Sequence, residues 1–94
     1  MSWPRNRETV FLVCLETAAP MPANPSLARR LEAWKAVPCL SGAWLVPAPT
    51  TARTLHDSLA PSARDKDRLL VTELGPETAW WNLLSAAPLE PPTG

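Results

Sequence analysis

Six consecutive apolar residues, Val10-Phe11-Leu12-Val13-Cys14-Leu15, constrain this chain more than any other feature. A run of that kind, rich in β-formers and bounded by polar segments, reads as a strand buried on both faces. Side chains alternate along a strand, so Val10, Leu12 and Cys14 share one face while Phe11, Val13 and Leu15 share the other. Ninety-four residues have room for one hydrophobic core. The strand therefore belongs to a single small domain with apolar cover on each side of it.

Prolines and caps divide the chain beyond this strand. Pro20, Pro22 and Pro25 forbid regular structure between the strand and the next element. Asn24-Pro25 is a helix-start signal, a capping side chain followed by proline at the first helical position. Leu27, Leu31 and Trp34 recur at helical spacing as one apolar face, and Arg29, Arg30, Glu32 and Lys35 fill the rest. Pro38 is expected to stop this helix near Val37. Cys39 to Val46, with Ser41-Gly42 as a turn, predicts a tight hairpin with a short second strand and a stronger third. Pro47 and Pro49 close it. Thr51 caps a second helix that turns Ala52, Leu55, Leu59 and Ala63 inward, leaving Arg53, His56 and Asp57 in solvent. The polar turn Arg64-Asp65-Lys66-Asp67 leads into a fourth strand over 68–74, ended by Gly75-Pro76. Thr78 to Leu84 predict a short turn of helix carrying Trp80 and Trp81.

The order β-α-β-β-α-β predicts an α+β domain, a ferredoxin-like sandwich with a four-stranded antiparallel sheet and two helices on one face. The domain is expected over residues 9–84, between a flexible N-terminal arm (1–8) and a disordered proline-rich tail (85–94). Helices on one face leave the other face of the first strand bare. A second copy of the chain is the simplest cover, so a homodimer is expected, with Phe11, Val13, Leu15 and Trp81 at its interface.

Composition narrows the function classes. Nine basic and nine acidic residues balance, which argues against tight nonspecific binding to nucleic acid by a monomer. No apolar run approaches the roughly 18–20 residues that span a bilayer. The N-terminus is polar and lacks the long apolar stretch of a secretory signal, so a cytoplasmic location is expected. Cys14 and Cys39 have no metal-ligand spacing. In the expected sheet the third strand separates them by about 10 Å, beyond disulfide reach.

Few side chains offer chemistry. His56 adjoins Asp57, but neighbouring helical residues point in different directions, and a solvated histidine is the expected reading. Trp34 and Trp44 fit core positions. Trp80 and Trp81 cannot both face inward, so one is expected at an interface or in solvent, where a protein partner is favoured over a stacked nucleobase. Arg29 and Arg30, with Arg5 and Arg7 in the arm, form a candidate phosphate-binding patch, although Glu32 and the balanced charge favour a plain solvated face. No phosphate-cradling glycine loop, zinc spacing or nucleophile elbow occurs.

Several segments also carry a resemblance. The strand Phe11-Leu12-Val13-Cys14-Leu15-Glu16, the hairpin Ser41-Gly42-Ala43-Trp44-Leu45-Val46, the helix start Thr51-Ala52 with Leu55 and Asp57, the run Asp67-Arg68-Leu69-Leu70-Val71 and the pair Ala79-Trp80 resemble, in order and spacing, SinR-like proteins. These are small bacterial relatives of the dimeric CRISPR spacer-acquisition subunit and of VapD-type toxins. The resemblance spans roughly residues 9 to 84. It implies a ferredoxin-like homodimer with either a DNA-holding role or a nuclease site binding magnesium or manganese. In such a site an aspartate ends the first strand, and two copies share the metal across the dimer. The matching position here is Glu16, the one candidate catalytic and metal-binding residue. Glutamate moves the carboxylate outward by a methylene, and catalysis tolerates little misplacement. Relatives tend to carry a serine two residues before the tryptophan. Here that position is Gly42, with Ser41 one place earlier. An interaction module binding protein or nucleic acid without strong catalysis is thus the leading expectation, and a divalent-metal-dependent endonuclease is the alternative.

Overall fold

The computed structural model describes residues 9–16 and 24–89. The expected arm over 1–8 with Arg5 and Arg7, the segment over 17–23 and the end of the expected tail, 90–94, lie outside the described residues. In chain order the elements are β1 (Thr9–Glu16), α1 (Pro25–Ala33), β2 (Val37–Leu40), β3 (Ala43–Ala48), α2 (Ala52–Leu59) and β4 (Arg68–Glu73). The strands form one sheet in the spatial order β2-β3-β1-β4, and every neighbouring pair is antiparallel. The class is α+β, a four-stranded antiparallel sheet with two helices, an arrangement compatible with a ferredoxin-like sandwich. Among the described residues, no helix is long and apolar enough to cross a membrane.

The apolar run of β1 lies in the middle of this sheet. Phe11 stands opposite Val46 of β3 on one side and Glu73 of β4 on the other. Both faces of the strand are covered, but not as expected. Phe11 and Val13 have no exposed surface and pack with Leu27 and Leu31 of α1 and Leu55 and Leu59 of α2. Leu15 is partly buried on the same side. All three therefore face the helices; Phe11 and Val13 offer no surface to a second subunit, and Leu15 keeps only part of its own. A strand apolar at every position carries no signal of which parity meets the helices. The structure turns the largest side chain, Phe11, toward the four helix leucines.

On the opposite face Val10 packs with Cys39, Ala43, Leu45 and Leu89, and Leu12, Cys14, Leu74 and Leu83 adjoin them. The chain beyond β4 thus folds back over this face. Leu89, expected in a disordered tail, is 2% exposed and ends a short 3₁₀ turn over Ala87–Leu89. Burying such a leucine stabilises by roughly 1.5–3 kcal/mol, enough to hold a short segment down. Residues 78–84, expected as a turn of helix, are irregular. Asn82 sits in the left-handed region at φ 54°. The Leu84 N–H donates to Cys39 O at 2.9 Å on β2 rather than to a carbonyl one turn back.

Local signals explain the other boundaries. The Asn24 side chain accepts from Leu27 N, and Thr51 caps α2 by accepting from Thr54 N. The first helix ends at Ala33, well before Val37. Lys35 adopts φ 62°, its N–H bonds Glu32 O, and Ala36 N–H reaches back to Leu31 O, both at 2.9 Å. This is the left-handed Schellman stop, made by lysine where glycine is usual. Pro38 consequently lies in β2, an edge strand that tolerates a missing donor. Pro47 lies within β3, opposite Val10 and beyond the Val37–Leu45 pair where β2 begins.

Candidate functional site

The end of β1 is where chemistry was expected. The ladder between β1 and β4 places Glu16 opposite Arg68, and Arg68 Nη1 donates to Glu16 Oε1 at 2.9 Å. Both side chains are well exposed, Arg68 at 82% and Glu16 at 69%. A small hollow of about 220 Å³ adjoins them, lined by Cys14, Glu16, Gly42, Arg68 and Leu70. An exposed pair of this kind contributes only about 0–1 kcal/mol, so Arg68 neutralises the carboxylate without locking it. Among the described residues, no three His, Cys, Asp or Glu side chains gather to hold a metal ion. A divalent cation at Glu16 would need ligands from outside the described residues.

Gly42 closes the same corner. Its φ is 145°, and a Cβ there would lie 2.9 Å from Leu15 O. Leu15 N–H donates to Gly42 O at 2.7 Å, so the hairpin turn is pressed against β1. The position that carries serine in the resembled family takes no side chain on this backbone. Ser41 is exposed.

The remaining candidates are spread over the surface. Arg29 and Arg30 are both exposed on α1. Trp81 is 90% exposed and Trp80 38%. Trp34 and Trp44 pack against the helix-side core, and the Trp34 indole N–H donates to Ser58 Oγ at 3.0 Å. His56 Nδ1 lies 3.1 Å from Asp57 Oδ1, contrary to the expectation that adjacent helical residues stay apart, because both side chains are free to swing in solvent. The pair is exposed, at 46% and 61%, and no third group joins it among the described residues. The two cysteines are free thiols on the same side of the sheet. Ala43 of β3, opposite Cys14, lies between their strands. Burial first, and then the neighbouring Cys14, push the Cys39 thiol above its ordinary range. Beside the turn runs an apolar groove of about 480 Å³, lined by Leu31, Pro38, Leu40, Trp44 and Leu84.

The most connected polar group is one the sequence offered only as a solvated turn. The Asp67 side chain is fully buried. Its Oδ2 accepts from Asn24 Nδ2 at 3.0 Å, from Arg64 N at 2.9 Å and from Arg64 Nε at 3.2 Å, and Oδ1 accepts from Arg64 Nη2 at 3.3 Å. Asn24 also donates to Ser62 O at 2.9 Å. The residue that caps α1 is thereby tied to the loop between α2 and β4. The Arg64-x-x-Asp67 spacing was a legible local signal, but nothing along the chain marked the link to Asn24.

Comparison of the chain with protein-family models, curated proteins and solved structures finds no match.

Proposed function

We propose that the chain is a ferredoxin-like, homodimeric interaction module of the SinR-like kind, engaging a protein or nucleic-acid partner rather than turning over a substrate. The order β2-β3-β1-β4 with both helices against one face supports the ferredoxin-like reading. One observation carries the functional reading. The segment that folds over the sheet leaves Trp81 90% and Leu84 72% exposed, and Leu84 shares the apolar groove with Leu40, itself 53% exposed. Large side chains held in water beside a groove are the composition of a contact surface. Glu16, engaged by Arg68, fits the end of a strand ladder at least as well as a metal ligand. Arg29 and Arg30 supply the contact if the partner is nucleic acid.

Three measurements test this. Light scattering at micromolar concentration is expected to give a dimer, and a Trp81→Ser variant is expected to weaken partner or self-association without unfolding the domain. Incubation with RNA or DNA plus magnesium or manganese is expected to leave the nucleic acid intact. Cutting that Glu16→Ala abolishes would replace the module with the endonuclease reading. A nucleic-acid partner requires a gel shift that weakens with salt and with loss of Arg29 and Arg30.

A further inference from the structure

The two edges of the sheet differ. The β2 edge is defended: the strand has four residues, contains Pro38, and its register shifts between Pro38 and Leu40. Leu84 N–H already occupies Cys39 O there. Short length, proline, irregularity and a covering segment are the features that stop an edge from pairing.

The β4 edge has none of them. Arg68–Glu73 is a regular six-residue strand without proline or lysine, in unbroken register with β1. Leu74 N–H donates to Val10 O at 2.9 Å. By the alternation of an antiparallel ladder, Thr72, Leu70 and Arg68 also direct their backbone groups at β1, while Leu69, Val71 and Glu73 direct theirs outward. Among the described residues, no backbone bond from another element reaches those three. The single basic residue of the strand, Arg68, is paired with Glu16, and the one other charge of the strand, Glu73, is exposed at its far end on the helix face. Leu70 is 58% exposed, on the face away from the helices.

We infer that β4 is a docking edge for β4 of a second copy, the two strands pairing antiparallel about a two-fold axis with Leu70 opposite the partner's Leu70. The residue pattern selects this arrangement. In-register parallel pairing would stack Arg68 on Arg68 and Glu73 on Glu73. Antiparallel pairing instead sets Arg68 beside the partner's Thr72 and Glu73 beside the partner's Asp67, whose carboxylate is already bonded to Arg64. A two-fold axis perpendicular to the sheet keeps each face on its own side, so only registers that pair residues of the same face are allowed. With Leu70 on the axis, Leu69 meets the partner's Val71 and Arg68 meets the partner's Thr72, apolar with apolar and polar with polar. Shifting the axis to Val71 would set Leu69 against the partner's Glu73 and Leu70 against the partner's Thr72. In the favoured register the two Leu70 side chains form a close pair across the axis, and the sheet continues from four strands to eight.

This inference rests on the homodimer reading and adds where the copies meet. Leu70→Lys and Leu70→Glu, each made in the full chain, set like charges directly opposite one another. Each is expected to weaken self-association at least 10-fold by analytical ultracentrifugation, with the circular dichroism spectrum and urea midpoint held near those of the parent. Mixing the two variants is expected to restore the dimer, which only a Leu70–Leu70 register explains. Amide exchange is expected to show Leu69, Val71 and Glu73 protected in the dimer and released in Leu70→Lys, with Leu70 and Thr72 amides protected in both. A dimer that survives Leu70→Lys but dissociates in Trp81→Ser would overturn the edge proposal while leaving the homodimer standing. A monomeric parent would overturn both. A monomer with protected Leu69, Val71 and Glu73 amides would show that the chain itself covers the edge.

Discussion

Asp67→Ala should break a link between three segments of the fold. The carboxylate is fully buried and joins three segments: the cap of α1 through Asn24, the loop after α2 through Arg64, and its own position just ahead of β4. Truncation deletes the acceptor of a backbone N–H and of the Asn24 amide, each worth roughly 1–1.5 kcal/mol and more to a charged acceptor. Asn24 keeps its bond to Ser62 O, and the Arg64 side chain, 37% exposed, can turn to water, so its share is discounted. The sum is about 3 kcal/mol. A domain of this size holds about 5–14 kcal/mol in all, so the midpoint of urea unfolding should fall by about a fifth to three-fifths with its slope unchanged. The melting temperature should drop by about 15 °C. Asp67→Asn, which keeps one acceptor oxygen, should cost about half as much. Asp65→Ala, two positions away on an exposed residue, should stay within about 0.5 kcal/mol of the parent. An Asp67→Ala loss no larger than that of Asp65→Ala would refute the claim that this carboxylate ties α1 to the approach to β4.

Gly42→Ser should destabilise by about 1–3 kcal/mol in urea, because φ 145° and the 2.9 Å approach of Leu15 O leave no place for Cβ. Lys35→Gly should stabilise by about 0.5–1 kcal/mol, since the Schellman stop at φ 62° is a conformation that glycine adopts without steric penalty. Cys39, buried and with its thiol pushed up by burial and by Cys14, should react with a thiol reagent at pH 8 at least about tenfold more slowly than half-buried Cys14. Its effect on stability has a definite sign, because the folded state keeps the proton where the unfolded thiol has lost it. That increment of stability is complete below the ordinary thiol range and is lost as pH rises through the raised value, so Cys39→Ala should flatten the alkaline limb of the stability profile.

How much of the molecule is legible in its sequence depends on whether a signal is local. The caps at Asn24 and Thr51, the turn at Ser41-Gly42 and the leucine spacing of both helices each act within a few residues, and each lies where its chemistry put it. The Schellman stop is hidden because lysine occupies a glycine position, so Pro38 takes credit for a termination already made at Lys35. The Asp67 hub is hidden for a different reason. Its partner Asn24 is 43 residues away, and a buried aspartate in a polar turn reads the same as a solvated one. Glu16 is legible as a strand-end carboxylate, while its pairing with Arg68 depends on the β1–β4 register.

The first strand shows what that limitation means for function. An uninterrupted apolar run announces two covered faces but names neither cover. A second subunit was the natural candidate for the bare face, yet Leu83 and Leu89 from the chain's own end pack there beside Val10 and Leu45. The need for a partner on that face is thereby reduced. What the described residues leave unmet instead is the outward-facing hydrogen-bonding row of β4, with Leu70 exposed beside it, and the tryptophan at the turn of the covering segment. Backbone groups at an edge stay solvated unless a strand arrives, and this edge lacks the proline, the irregular register and the covering segment that guard β2. The case for self-association therefore moves from the buried run of β1, where the sequence pointed, to its neighbour β4, whose alternating residues looked like an ordinary half-buried strand.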